Sequence, residues 1–382
     1  MSDTLSVRTI ISPRRYVQGA GAIHSLGKYL TSLGSTPLLV ADDVVWGFVG
    51  HDIETSLGGA GLPVHREKFN GVPSAAEIDR LVQIISTQGA DVIVAIGGGS
   101  TIDAVKAAGH LAGINWVTVP TVASTDAPTS ALAVVYTENG EFEEYRFFPK
   151  NPDLVLVDTQ VVANAPAAFL AAGVGDALAT WLEARATAAA HASTMAGGLP
   201  TLTGTALARL SWDVLWDNAL PALDAVRDNV VTPAVEKVVE ANTLLSGIGF
   251  ESGGLAAAHA IHNGLTAVPQ THGLAHGQKV NIGSVTQLVL EGAPTSEIRE
   301  FIEFTTRVGL PNTLTEVGLA PENDQELATI AAAALAPGET IHNMPFEISP
   351  TELVAALKSI ERFARTVRSE AALPEPQPYH HR

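Results

Sequence analysis

The chain has 382 residues and no cysteine, and its 40 acidic residues outnumber its 22 basic ones, which gives a formal net charge of −18. The acidic excess argues against broad binding to nucleic acid or anionic membranes, because both require clustered positive charge. The absence of cysteine excludes a disulfide scaffold, a thiol nucleophile and a zinc–thiolate site. Any metal must therefore be bound by histidine and carboxylate side chains.

Length and composition predict two domains with large hydrophobic cores, since 46% of the residues are hydrophobic and only 16% are charged. The N-terminal residues lack the basic and apolar regions of a signal peptide. No uninterrupted apolar run approaches the roughly 18 residues that a membrane span needs. We therefore expect a soluble, cytoplasmic protein with no nucleic-acid or membrane partner.

Residues 1–165 predict an α/β domain in which short buried strands alternate with helices. The strands are expected at Pro37 to Ala41, Asp91 to Ile96, Trp116 to Val119 and Asp153 to Val157. Between them, Ser74 is a plausible N-cap of a helix that runs to Thr87. Such alternation is typical of a parallel sheet with helices on both faces. One hairpin interrupts it, with strands Leu132 to Tyr136 and Phe142 to Phe148 around an Asn139-Gly140 turn.

Residues 166–373 predict an all-α domain, because alanine, leucine, glutamate and glycine dominate there and strand-like alternation disappears. Helices are expected near 176–190, 203–228, 231–248, 254–264, 276–291, 295–308 and 350–370. Ser349 followed by Pro350 is typical of a helix start. The junction falls near Asn164-Ala165-Pro166, and residues 374–382 are expected to form a disordered tail.

A glycine-rich turn, Gly97-Gly98-Gly99-Ser100, joins the strand that ends at Ile96 to a helical pattern. Glycines there let the backbone approach a phosphate, and the free N–H groups at the helix start favour an anion. A tight turn that serves packing alone is the alternative. Asp42 follows the strand before it in the chain, where a carboxylate can bind a ribose diol. A solvated loop aspartate is equally consistent, and Asp43 competes for the role.

A histidine cluster is the most informative feature of the sequence. Four of the 12 histidines, His259, His262, His272 and His276, lie within one short stretch, where even scattering would place fewer than one. Histidines on adjacent helices can bind one cation with a third ligand from elsewhere. Asp176, isolated among small apolar residues, is the best third ligand, although it could instead be a charge at a helix N-terminus. Any single histidine could also be an ordinary core residue.

The segment PTVASTDAPTS follows the strand Trp116 to Val119, so it lies at the same sheet edge as the glycine turn. It is dense in hydroxyl groups and holds one carboxylate, Asp126. This composition suits a polar ligand, and it is also ordinary for a loop.

Together these segments resemble the iron-containing (group III) alcohol dehydrogenase family, and within it the enzymes that oxidise glycerol. The resemblance covers nearly the whole chain and rests on GGGSTIDAVKA, PTVASTDAPTSALAVVYTENGEFEEYRFFPKNPDLVLVDT, DALATWLEARA, ANTLLSGIGFESGGLAAAHAIHNG, HGQKV and GETIHNMP. It implies a Rossmann-like α/β domain followed by an all-α domain, the two-domain architecture also seen in dehydroquinate synthase. It further implies a homo-octamer that uses NAD and Zn²⁺ to oxidise glycerol at the secondary alcohol to dihydroxyacetone, and to oxidise related diols such as 1,2-propanediol in the same way.

The same resemblance assigns roles to individual residues. It implies that the metal ligands are Asp176, His259 and His276, and that Asp126 contacts the substrate. The residues that it implies for NAD binding are Asp42, Gly97, Gly98, Gly99, Ser100, Thr121, Ser130, Leu132 and Tyr136. His262 and His272 are candidates for supporting the ligands or relaying a proton.

Three positions depart from the family pattern. Ser100 replaces a common lysine, Gly273 follows His272 where a second histidine is frequent, and Gln278 replaces a glutamate. The first affects any charge contact to the pyrophosphate, and the other two change the surroundings of the metal.

Two alternatives compete with this interpretation. Enzymes of the dehydroquinate synthase and glycerol-1-phosphate dehydrogenase types share the architecture but act on anionic substrates, which require basic residues at the metal. Between residues 161 and 300 only Lys279 lies near the predicted ligands, so a neutral polyol fits better. A non-catalytic nucleotide- or metal-binding protein is disfavoured, because the residues implied for substrate and metal binding are all present.

Overall fold

The computed structural model describes residues 7–138 and 142–379. The chain divides into two compact units. The α/β unit comprises Ile11–Leu170 and Pro221–Gly247, and the helical unit comprises Ala171–Leu220 and Ile248–Arg382 together with the chain up to Ile10. This division differs from the continuous one expected from the sequence, because residues 221–247 join the α/β unit.

Eight strands and fourteen α-helices are assigned within the described residues. The strands are β1 (Tyr16–Gly19), β2 (Pro37–Ala41), β3 (His65–Lys68), β4 (Val92–Gly97), β5 (Asn115–Pro120), β6 (Leu132–Tyr136), β7 (Phe142–Phe147) and β8 (Leu154–Asp158). The helices are α1 (Leu26–Leu30), α2 (Asp43–Gly59), α3 (Ala75–Gln88), α4 (Gly99–Ala112), α5 (Thr159–Ala163), α6 (Ala167–Ala190), α7 (Leu202–Arg227), α8 (Pro233–Glu240), α9 (Ser246–Gly253), α10 (Ala257–Thr266), α11 (His276–Leu290), α12 (Thr295–Val308), α13 (Asp324–Ala334) and α14 (Pro350–Glu370).

The α/β unit contains a six-stranded sheet with the strand order β1-β8-β5-β4-β2-β3, in which every pairing is parallel. The predicted parallel sheet is thus confirmed. Strands β6 and β7 form a separate antiparallel pair, as the hairpin prediction requires. The predicted turn at Asn139-Gly140 lies outside the described residues.

Helices cover both faces of the sheet. Successive residues of a strand point to opposite faces, so neighbouring residues of a buried strand pack against different helices. Along β2, Leu38 and Val40 pack in the cluster formed with α3 and α4. Leu39 and Ala41 pack in the cluster formed with α1 and α2. The predicted N-cap is confirmed, since the hydroxyl of Ser74 accepts a hydrogen bond from the N–H of Glu77.

The carboxyl ends of β4 and β5 lie side by side. Gly97 pairs with Pro120, and the N–H of Thr121 donates to the carbonyl oxygen of Gly97 at 3.1 Å. The glycine-rich turn and the hydroxyl-rich loop therefore begin next to each other at one edge of the sheet.

The predicted helices of the second half are present, with three differences. Helix α6 begins at Ala167, so Asp176 lies within the helix and not at its N-terminus, and α13 was not predicted. The stretch expected at 231–248 is divided, because α8 ends at Glu240 and a π-helical segment, Ala241–Leu245, precedes α9. Helix α14 begins as predicted, with a capping box in which Ser349 and Glu352 hydrogen-bond to each other's backbone N–H.

Helix α6 is long and apolar enough to cross a membrane by length and composition alone. However, 78% of its most apolar window is buried within the protein, and Asp176 and Glu183 lie within the helix with no side-chain exposure above 1%. These are the properties of a core helix.

The segment expected to be a disordered tail begins at Pro374. Residues 374–379 have no regular secondary structure, but the N–H of Tyr379 donates to the carbonyl oxygen of Glu316 at 2.9 Å, which holds them against the helical unit. Residues 380–382 lie outside the described part of the chain.

Candidate metal centre and dinucleotide-binding site

Helices α6, α10 and α11 approach one another closely because small residues line their contacts. A Cβ added at Gly277 of α11 would lie 1.8 Å from the carbonyl oxygen of Ala172 in α6. A Cβ added at Gly283 would lie 2.2 Å from the carbonyl oxygen of Ala258 in α10. Only glycine permits these approaches, which bring one predicted ligand from each helix to a common point.

The three predicted metal ligands meet there. Nε2 of His276 lies 3.0 Å and Nε2 of His259 lies 3.3 Å from Oδ1 of Asp176, and the three donor atoms all lie within 4.8 Å of one another. Ligands about 2.0–2.1 Å from a tetrahedral zinc ion are about 3.3 Å apart. The donor set of two imidazoles and one carboxylate therefore fits a divalent cation.

Burial and charge act against each other at this cluster. Burial would raise the pKa of Asp176, but the charge on His276 and the hydrogen bonds from His259 and His276 hold it well below its usual range. Burial would lower the pKa of His259, but the carboxylates of Glu183 and Asp176 raise it well above its usual value. The carboxylate is thus held ionised, the form that binds metal.

The two other clustered histidines have different surroundings. His262 is buried, and its ring centroid lies 4.2 Å from that of His276. Burial and the neighbouring charges of His276, Lys279 and His259 lower the pKa of His262. His272 is exposed and its Nε2 bonds to the carbonyl oxygen of Thr266 at 2.9 Å. A role at the metal is therefore geometrically open to His262 and is not favoured for His272.

Gln278 and Ser100 are two of the positions that depart from the family pattern, and the structure shows their surroundings. The side-chain oxygen of Gln278 accepts a hydrogen bond from the N–H of Ala275 at 2.9 Å, so it caps α11 as a glutamate would. Ser100 is exposed in the first turn of α4. The exchange at residue 278 therefore removes a charge near the cluster but retains the cap.

Two glycines of the glycine-rich turn, Gly98 and Gly99, could accept a side chain without a clash. Gly98 is the N-cap, and a Cβ added at Gly98 or Gly99 would meet only side-chain atoms at 3.5 Å, an ordinary contact distance. The first N–H groups of a helix have no partner within the helix and attract anions. Protein packing therefore does not require glycine at these two positions, which agrees with the expectation that they let a phosphate approach the backbone.

The loop between β5 and β6 carries two of the predicted nicotinamide-side residues, Thr121 and Ser130, and the other two are the first and last residues of β6, Leu132 and Tyr136. Thr121, Ser130 and Leu132 are buried. Burial and the charge of Asp103 raise the pKa of Tyr136 to about 12.

A fully buried lysine, Lys106 of α4, holds this loop. Its ammonium group donates to the Ala127 carbonyl oxygen at 2.9 Å and to the Ser130 hydroxyl at 3.2 Å, and it pairs with Asp103 at 3.0 Å. Lys106 was not identified from the sequence, although a lysine on the apolar face of a helix indicates a buried ammonium group that needs polar partners.

Asp126, the predicted substrate-contacting residue, is buried in the same loop. Its Oδ2 accepts a hydrogen bond from the hydroxyl of Ser246 at 2.7 Å. The π-helical segment just before Ser246 holds the loop through further hydrogen bonds, from the Asn242 amide to the Ala123 carbonyl oxygen and from the Thr129 hydroxyl to the Thr243 carbonyl oxygen. Residues 242–246 thus support this loop within the α/β unit.

Asp42 and Asp43 follow β2 and have different contacts. Asp42 caps α2 through one oxygen, which accepts from the N–H of Val45 at 2.8 Å. Asp43 pairs with Arg66 at 2.6 Å and with Lys68 at 2.5 Å, and hydrogen bonds from these two residues lower its pKa. Asp43 is thus occupied by ion pairs, and Asp42 remains the better candidate for a ribose contact.

Comparisons with known proteins agree with these features. The model of the family described as iron-containing alcohol dehydrogenase matches residues 13–159. A glycerol dehydrogenase from Pseudomonas putida is 50% identical over 92% of this chain and 96% of its own length. A glycolaldehyde reductase from Halobacterium salinarum is 48% identical over 94% of this chain and 98% of its own length.

Structural similarity extends over the same length. The crystal structure of glycerol dehydrogenase from Schizosaccharomyces pombe superposes with a TM-score of 0.93 and 38% identity, and the match covers 97% of this chain and 95% of that one. Such identity over nearly whole chains, together with the glycine-rich turn and the Asp–His–His cluster, shows that the chain belongs to the iron-containing alcohol dehydrogenase family.

Proposed function

We propose that the protein oxidises glycerol, and related vicinal diols such as 1,2-propanediol, with NAD⁺ at the secondary alcohol, and that glycerol yields dihydroxyacetone. The observation that carries the proposal is the cluster of Asp176, His259 and His276. It occurs in a chain that is 50% identical to a glycerol dehydrogenase over nearly its full length.

We propose that the cluster binds zinc, although the family takes its name from iron. A bound divalent cation acts as a Lewis acid toward the oxygen of the reacting alcohol. Asp176, His259 and His276 would hold this cation, and the burial of the first two residues would exclude water from one side of it.

Residues of the α/β unit would bind the cofactor and orient the substrate. Gly97 to Ser100 would hold the pyrophosphate, and Asp42 the adenosine ribose. Thr121, Ser130, Leu132 and Tyr136 would contact the nicotinamide end, where the hydride is accepted. The carboxylate of Asp126, oriented by Ser246, would accept a hydrogen bond from a substrate hydroxyl.

The charge distribution supports a neutral substrate. Four arginines of the stretch from 161 to 300 are each paired with a carboxylate: Arg185, Arg209, Arg227 and Arg299. Lys279, one helical turn after His276, is then the one lysine or arginine of this stretch near the cluster, and burial lowers its pKa to about 8, which disfavours its charge without abolishing it at neutral pH. Phosphorylated or carboxylated substrates need available cations, so the phosphate-processing alternatives are disfavoured.

Reduction of glycolaldehyde is a second candidate. The relative named glycolaldehyde reductase is 48% identical, close to the 50% of the relative named glycerol dehydrogenase. Both reactions transfer a hydride between the nicotinamide and one carbon of a small hydroxylated substrate. The reduction of glycolaldehyde takes the hydride from NADH, and the oxidation of glycerol gives a hydride to NAD⁺.

The test is turnover by the zinc-loaded protein. NADH absorbance is followed with glycerol, 1,2-propanediol or 2,3-butanediol and NAD⁺ or NADP⁺, and with glycolaldehyde and NADH. We expect the highest kcat/KM with glycerol and NAD⁺. A higher kcat/KM with glycolaldehyde would favour the second candidate, and no turnover with any diol or aldehyde would contradict both.

The remaining proposals concern the metal ligands and the assembly. Asp176→Ala and His259→Ala should each abolish metal retention while circular dichroism shows a largely intact fold. Metal content that survives both substitutions would contradict the ligand set. We also propose that the protein is cytoplasmic. The family resemblance supports a homo-octamer, which light scattering at several protein concentrations tests.

A further inference from the structure

Glu183 is a buried carboxylate that is not among the proposed metal ligands. It lies on α6 seven residues after Asp176, so both side chains project from the same side of the helix. Its side chain has no exposure, and its Oε2 lies 2.5 Å from Nδ1 of His259. The two carboxylates of α6 thus contact opposite nitrogens of one imidazole, since Asp176 contacts Nε2.

The other oxygen of Glu183 is fixed by the backbone. Oε1 accepts hydrogen bonds from the N–H groups of Ala256 at 2.8 Å and His259 at 2.9 Å. Helix α10 begins here, and its N-cap, Ala256, has no side chain that could accept such bonds. The intervening N–H groups, of Ala257 and Ala258, donate instead to the side-chain oxygen of Gln287. Two side chains from other helices therefore cap α10.

We infer that Glu183 is a positioning residue that sets the tautomer of His259 for metal binding. With the proton on Nδ1 donated to Oε2 of Glu183, the lone pair of Nε2 faces Asp176 and the cation position. Carboxylate partners of this kind orient metal-bound imidazoles and raise their basicity. This inference rests on the metal site in the proposed function, but it concerns the protonation of a ligand and not the substrate.

Because of the cap, two substitutions of Glu183 have different effects on the proton of His259. In Glu183→Gln the amide oxygen would accept the hydrogen bonds from the N–H groups of Ala256 and His259. The opposite orientation of the amide would place its NH₂ donors against these two N–H donors and is therefore unfavourable. The NH₂ group would then face Nδ1 of His259 and donate to it. The imidazole proton would have to lie on Nε2, the atom that binds the metal. Glu183→Ala, in contrast, leaves Nδ1 free to carry the proton.

The experiment measures Zn²⁺ affinity of the metal-free protein by competition with a chromophoric chelator. We expect affinity to fall about 10-fold in Glu183→Ala and about 100-fold in Glu183→Gln, the upper end of effects for groups that support a ligand. This order is diagnostic, because a purely structural role would make the isosteric glutamine the milder change. Equal affinities, or a smaller loss in Glu183→Gln than in Glu183→Ala, would overturn the inference.

Gln287→Met is the matched control. It removes the other half of the same helix cap without touching His259, so it should lower the thermal midpoint of the metal-free protein and leave Zn²⁺ affinity within about 3-fold of wild type. A loss as large as that in Glu183→Gln would assign the effect to the position of α10 and overturn the inference. If the wild-type protein itself bound no Zn²⁺, the proposed metal site would fail, which is a distinct result.

Discussion

The carboxylate of Asp126 accepts a hydrogen bond from the hydroxyl of Ser246, with 2.7 Å between Oδ2 and Oγ, although the residues are 120 positions apart. Ser246 begins α9 directly after the π-helical segment Ala241–Leu245. A Cβ added at the next residue, Gly247, would lie 1.7 Å from the hydroxyl of Thr129. Only a glycine there lets the helix approach the loop closely enough for Ser246 to reach Asp126.

Ser246→Ala tests whether this hydrogen bond orients Asp126 toward substrate. A hydrogen bond to a charged group contributes about 1.5–3 kcal/mol, so we expect kcat/KM for glycerol to fall about 10-fold or more. The KM for NAD⁺ should change little, because Ser246 contacts none of the predicted cofactor residues in the hydrogen bonds described. Ser284→Ala, which removes a buried hydrogen bond within α11, is the control and should leave kcat/KM unchanged. Equal kinetics in both variants would show that Asp126 needs no orientation from Ser246.

Gly99→Ala tests whether the glycine-rich turn serves a ligand or only packing. The new methyl group would meet one side-chain atom at 3.5 Å, so we expect the free energy of unfolding to stay within about 1 kcal/mol. The methyl would, however, fill the space where a phosphate approaches the backbone, and NAD⁺ affinity should fall at least 10-fold. Titration calorimetry with NAD⁺ and urea unfolding measure the two effects separately.

Gly109→Ala is the matched control on the same helix. Its Cβ would press against Trp116 at 3.0 Å and Ile93 at 3.1 Å, away from the turn. It should lower stability and leave the NAD⁺ dissociation constant of the folded protein nearly unchanged. The packing alternative predicts the reverse for Gly99→Ala, namely a destabilised protein with normal affinity.

The parts of the fold that the sequence predicts are those with a local signal. Strands β2, β4, β5 and β8 are buried and mostly apolar along their length, since both of their faces are covered. Strand β3, His65–Lys68, lies at the sheet edge and is entirely polar or charged, so no periodicity marks it. The π-helical segment likewise has no signature of its own in the sequence, and residues 221–247 join the α/β unit through tertiary contacts that no local pattern records.

The candidate site likewise contains residues that a local sequence pattern indicates and residues that only tertiary contacts reveal. Histidines are few, so four of them close together in the chain are enough to indicate a site. Glu183, Ser246 and Lys106 are ordinary residue types on helices, and their importance arises only from the partners that the fold brings to them. Groups that touch ligands are thus easier to predict from sequence than the groups that orient them.

Lys106→Met tests the buried ammonium group that holds the Asp126 loop. Lys106 has no side-chain exposure, and its removal leaves the largely buried Asp103 without the cation it pairs with. Breaking a buried ion pair from one side costs about 3–5 kcal/mol, so we expect a loss of this size in urea unfolding and a several-fold higher KM for NAD⁺. Adding Asp103→Leu should restore part of the stability, because the uncompensated charge is then gone.

The exposed pair Arg209–Asp213 is the control for that comparison. Exposed pairs contribute about 0–1 kcal/mol, and Arg209→Met should therefore change stability by less than about 1 kcal/mol with no effect on KM. A Lys106→Met protein as stable as wild type would show that the loop is held by its other contacts.

Lys279 makes stability depend on pH in a direction that the structure fixes. Burial lowers its pKa in the folded protein from 10.5 to about 8. Below pH 8 the lysine is charged in both states, and burying that charge costs about 3 kcal/mol. Between about pH 8 and 10.5 the unfolded chain binds more protons than the folded one, so this group makes stability rise with pH. Lys279→Met should therefore stabilise the metal-free protein at pH 7, and its advantage over wild type should shrink as pH rises.

Urea unfolding of metal-free wild type and Lys279→Met at pH 7, 8.5 and 9.5, at one protein concentration, measures this difference. Lys237→Met, which changes an exposed lysine on α8, should give a difference from wild type that does not vary with pH. The same constant difference for Lys279→Met would mean that Lys279 keeps its ordinary pKa in the folded state. If the stability difference between wild type and Lys279→Met narrows by more than about 1 kcal/mol from pH 7 to 9.5, the pKa of Lys279 is lowered in the folded protein. The uncharged amine is then the stable form of this buried side chain at high pH.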